Sequence, residues 1–85
     1  MTRKEIFRAI DNEREYHIYR WGKKFGKKNT ANDWIAMIGG YATQTARGPF
    51  KKEVFVNSMI AVAGLAVAAL EQGEGAKHYD KRRKT

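Results

Sequence analysis

Asp11, Glu13, Glu15 and His17 are residue types that hold divalent cations, and they crowd one short stretch. In a helix Glu13 and His17 share one face and Asp11 and Glu15 another, because side chains four apart stack above each other. A carboxylate and an imidazole give two ligands, and a metal centre needs more. The plainer reading is a solvated acidic patch balancing Arg14 and Arg20. Nucleophilic catalysis has less to draw on. Cysteine is absent, Ser58 is the one serine and sits in an apolar stretch, and His17 and His78 lie far apart. No G-x-S-x-G or P-loop pattern occurs. No catalytic residue, metal ligand set or cofactor is assigned.

Binding chemistry has more support. The formal charge is +8 on 85 residues, and such a surface attracts nucleic acid, nucleotides, acidic proteins or anionic lipid. One basic cluster, Arg20, Trp21, Lys23, Lys24 and Phe25, interleaves cations with rings and continues into Lys27 and Lys28. Cations neutralise phosphates, and exposed rings stack on bases. Alternatively Trp21 and Phe25 plug a core while the lysines stay in water; Trp21 continues an apolar stripe. A second cluster, Lys77, Lys81, Arg82, Arg83 and Lys84, reads as a flexible basic tail over residues 76–85.

These residues must be positioned by helices, since no stretch alternates with period two. The length fits one helical domain, residues 1–75. The first helix is expected at about 3–20, started by a Thr2/Glu5 capping box. Ile6, Ile10, His17 and Trp21 form its apolar stripe, with Phe7 and Ile18 at the edges and Arg8, Asp11, Arg14 and Glu15 on the polar side. The second is expected at about 31–46, capped by Thr30 with Asp33 or by Asn32. Gly39 and Gly40 each cost it something like 1 kcal/mol relative to alanine, which packing, a close neighbour or a bend must offset.

The third helix is expected at about 51–72, and its centre is apolar on every side. Such a helix is buried all round or spans a membrane. The unbroken run Met59–Leu70 is too short to cross about 30 Å of hydrocarbon. The expectation is therefore an all-α, oligomeric helical bundle in which a second copy covers what two helices cannot. The charged N-terminus lacks a secretory pattern, so a cytoplasmic location and no membrane are expected.

The segments "DNEREYHIYRWGKK", "NTANDWIAMIGGYA" and "MIAVAGLAVAALE" resemble a phage-associated group related to MazG-like nucleotide pyrophosphohydrolases, over about Asp11 to Glu71. The resemblance implies an all-α oligomer and, if phage-encoded, a host cytoplasm. Active members carry two acidic pairs that hold Mg²⁺. Matched on the W-I-A-M-I run, the first pair falls near Tyr41 and Gln44, a third acid near Gly40, and the second pair near Asn57 to Ile60. None of these positions is acidic here.

The expected function is therefore a non-catalytic protein binding a nucleotide or other anionic ligand, or blocking an acidic host protein. Arg20, Trp21, Lys23, Lys24, Tyr41 and Gln44 would line the site. A nucleic-acid-binding protein using Lys27, Lys28, Lys81, Arg82, Arg83 and Lys84 is the alternative. A residual pyrophosphohydrolase with Asp11, Glu13, Glu15 and His17 as makeshift ligands is the third reading.

Overall fold

In the computed structural model the chain forms α1 (Arg3–Trp21), a 3₁₀ turn (Phe25–Lys28), α2 (Ala31–Gln44) and α3 (Lys52–Gln72). Residues 1–22, 24–44 and 46–72 are described, apart from the Phe25 side chain. The all-α expectation holds, with no strand among them. The basic tail, Lys23 and Thr45 lie outside the described residues.

The helix starts follow from their caps. The Thr2 N–H donates to the Glu5 carboxylate at 2.9 Å, and the Glu5 N–H donates to the Thr2 hydroxyl at 3.1 Å. Thr30 and Asp33 repeat the exchange at 2.9 and 3.1 Å, so Thr30 is the second cap and not Asn32. Gly22 ends α1 with φ +84°, a conformation open to glycine, and its N–H donates to Ile18 O at 2.8 Å. The second helix ends at Gln44, two residues before the expected 46.

Both α1 and α2 pack along α3, while hardly meeting each other. The core is small: Trp34, Leu65 and Ala68, with Met37, Ile38 and Ala69 packed around them. Ile6 and Ile10 are half-buried and His17 is buried, as the stripe required, whereas Trp21, its last member, is 41 % exposed because it lies past the end of the packed face. Phe7, expected at its edge, is 61 % exposed. It lies one step of 100° from Ile6, which carries it off the face that meets α3. Arg14 was expected in solvent, yet its side chain is only 12 % exposed, and its Nε donates to Glu71 Oε1 on α3 at 2.7 Å.

Glycines set two of the contacts. A Cβ on Gly64 of α3 would lie 2.8 Å from Glu13 Cγ and 3.4 Å from His17 Cε1, so α1 approaches over a bare backbone. A Cβ on Gly26 would overlap the Gln72 carboxamide and press on Trp34. Gly39 and Gly40 differ, because a Cβ at either meets nothing within 4 Å. Among the described residues they therefore serve neither close packing nor a close neighbour.

The third helix buries Ser58, Gly64, Leu65 and Ala68 and exposes Phe55, Met59, Val67 and Leu70. On the exposed side Val56, Met59, Ala63, Ala66 and Leu70 recur at alternating steps of three and four. That is the spacing of a seam between two helices. At 1.5 Å per residue the 21-residue helix is about 31 Å long. Length and composition thus permit the whole helix to cross a membrane, although the run Met59–Leu70 alone is too short. The core helix of a soluble bundle passes the same test.

Candidate functional site

The first half of α1, the end of α2 and the first half of α3 enclose an open cleft of about 460 Å³. Tyr41 and Gln44 come from α2 at a three-residue step, so both face the same way. Asn57, Ser58 and Ile60 come from α3, and Ala9 and Glu13 from α1. Tyr41, Gln44 and Asn57, which the resemblance singled out on sequence alone, thus share one cleft. Gly40 is exposed and not part of its lining.

The chemistry of this cleft is that of a single carboxylate among amides and hydroxyls. Glu13 Oε1 accepts from His17 Nε2 at 3.1 Å, and no lysine or arginine lines the walls. Among the described residues the lining supplies one carboxylate for a divalent cation and no lysine or arginine for a phosphate. Asp11 and Glu15 are exposed on another face of α1. Among the described residues no three metal-ligating side chains come together.

The basic residues lie elsewhere. Trp21 is eight positions beyond Glu13 on α1, about 12 Å further along the axis. Arg20, Lys24, Lys27 and Lys28 are all exposed at this end, on the last turn of α1 and the 3₁₀ turn. The six residues named from sequence therefore divide. Tyr41 and Gln44 line the cleft, Arg20, Trp21 and Lys24 stand at the far end of α1, and Lys23 is outside the described residues, as are Lys81, Arg82, Arg83 and Lys84.

Sequence reasoning missed Tyr16 and Tyr19. Tyr19 is 87 % exposed and Tyr16 is also exposed. The signal was available, since neither position falls on the stripe through Ile6, Ile10 and His17. Trp21 is 41 % exposed and stacks on the His17 ring, with centroids 5.0 Å apart and planes 28° apart.

A second, small cavity of about 10 Å³ lies between His17 and Trp21 of α1, Trp34 of α2, and Leu65, Ala68 and Gln72 of α3. His17 Nδ1 and Trp34 Nε1 are buried with no hydrogen-bond partner among the described residues. Each such group, left unanswered, costs about 1–3 kcal/mol.

No family model, curated protein or solved structure matches the chain.

Proposed function

We propose that the chain is a non-catalytic helical binding protein, and that its anionic ligand is a nucleic acid held on the basic end of α1. One observation carries this reading: the concave site and the cations are separate. The cleft offers a carboxylate and no lysine or arginine, whereas Arg20, Lys24, Lys27 and Lys28 are exposed in the same stretch as Tyr19 and Trp21. A single nucleotide is held by enclosure. An exposed basic surface with aromatic rings suits a polymer of phosphates, whose bases can stack. On this reading the chain keeps a MazG-like scaffold without its metal-holding acids. A nucleotide in the cleft is less well supported, because among the described residues no lysine or arginine there answers its phosphates. Pyrophosphate release is less supported still, for want of ligands.

The test is fluorescence anisotropy with labelled single-stranded DNA and RNA across a salt series. Four phosphate contacts on a single strand give a slope of log K on log salt of about −3. Charge reversal at Lys24, Lys27 and Lys28 abolishes binding. No complex at low salt, or binding indifferent to the reversal, overturns the reading.

The exposed seam on α3 favours a second reading, on assembly. We propose that a second copy of the chain covers Met59, Ala63, Ala66 and Leu70, in the cytoplasm and without a membrane. Sedimentation should give a dimer or larger species in plain buffer. A monomer there, or a requirement for detergent, removes this proposal.

A further inference from the structure

We infer that one resident water molecule bridges His17 on α1 to Trp34 on α2. The space is of the right size, since about 10 Å³ corresponds to a single water and excludes any organic ligand. Both side chains line it, and both are more than nine-tenths buried.

The two unpartnered atoms are chemically complementary. Trp34 Nε1–H can only donate. His17 Nε2 faces the Glu13 carboxylate at 3.1 Å, and a carboxylate accepts, so Nε2 carries a proton; in the neutral ring Nδ1 then accepts. The two do not bond to each other directly. A water answers both, accepting from the indole and donating to the imidazole. The Gln72 carboxamide in the same wall offers a further partner, while Leu65 and Ala68 close the apolar sides. The bridge stands where α1 and α2 hardly touch. It completes a polar chain from Glu13 in the cleft, through His17 and the water, to Trp34 in the core.

The experiment is water–protein NMR cross-relaxation on the full chain, with oxygen-17 relaxation dispersion on the same chain and on Trp34→Phe. The Trp34 indole N–H should show a cross-peak to water with the sign of a long-lived site. Trp34→Phe keeps an aromatic six-membered ring in the core and removes the donor, and should lower the dispersion by one long-lived water. Absence of the cross-peak in the unmodified chain overturns the inference, and this holds even where the variant fails to fold. An unchanged dispersion in a folded Trp34→Phe overturns it equally.

Discussion

Gly64 of α3 faces Glu13 of α1 so closely that a Cβ on the glycine would lie 2.8 Å from the glutamate Cγ. Glu13 is held in turn by its hydrogen bond to His17. The Glu13 side chain and the His17 ring both lie over the bare Gly64 backbone, and a methyl group there would press on both.

Gly64→Ala should destabilise the fold. Alanine gains about 1 kcal/mol in helix propensity, but overpacking costs about 1–3 kcal/mol. Glu13 can move aside only by leaving His17. The expected net loss is about 1 kcal/mol, read as a lower denaturant midpoint. An unchanged or higher midpoint would show that α1 has room to retreat.

Gly39→Ala and Gly40→Ala should do the opposite. Each replaces a helix-interior glycine with open space around it, so each should stabilise by about 0.5–1 kcal/mol. Thermal melts of the two variants measure this. A fall in stability together with a smaller sedimenting species would place that face against another chain.

Arg14→Met should cost about 1 kcal/mol. The variant keeps the apolar stem and removes the charged bond to Glu71, a bond weakened by water because the Glu71 side chain is 55 % exposed. A double-mutant cycle with Glu71→Gln should return a coupling of about 0.5–1 kcal/mol. Zero coupling would mean the pair adds nothing to the α1–α3 contact.

Acid should loosen the start of α1. The backbone N–H of Thr2, and then its hydroxyl, hold the Glu5 carboxyl below its ordinary value of 4.5. A depressed folded value means that this stabilisation is present above 4.5 and lost as pH falls through the folded value. Carbon-13 titration should place Glu5 below an ordinary glutamate, and Thr2→Ala should move it back up. An ordinary value in the unmodified chain would remove the capping box from solution.

Much of this architecture was legible in the residues. Thr2 with Glu5, and Thr30 with Asp33, announce helix starts because each cap is local chemistry within four positions. The face that α3 turns inward was not legible, since a helix apolar on every side has no periodicity to read. For the same reason Gly64 could not be told from Ala63 or Ala66 beside it. Arg14 was misplaced because its partner, Glu71, is 57 positions away, and nothing near Arg14 marks it as buried. The division of the six named residues follows from the length of α1, which carries Trp21 past the cleft.

That span of 57 positions also orders the folding of the molecule. The second and third helices are joined by residues 45–51 alone and can zip together as a hairpin, whereas α1 must close a long excursion before it gains any contact. On loop closure alone, α1 should therefore be the last arm to dock. If the proposed polymer binds the basic turn after α1, it would grip the end of that late-docking arm and hold it in place.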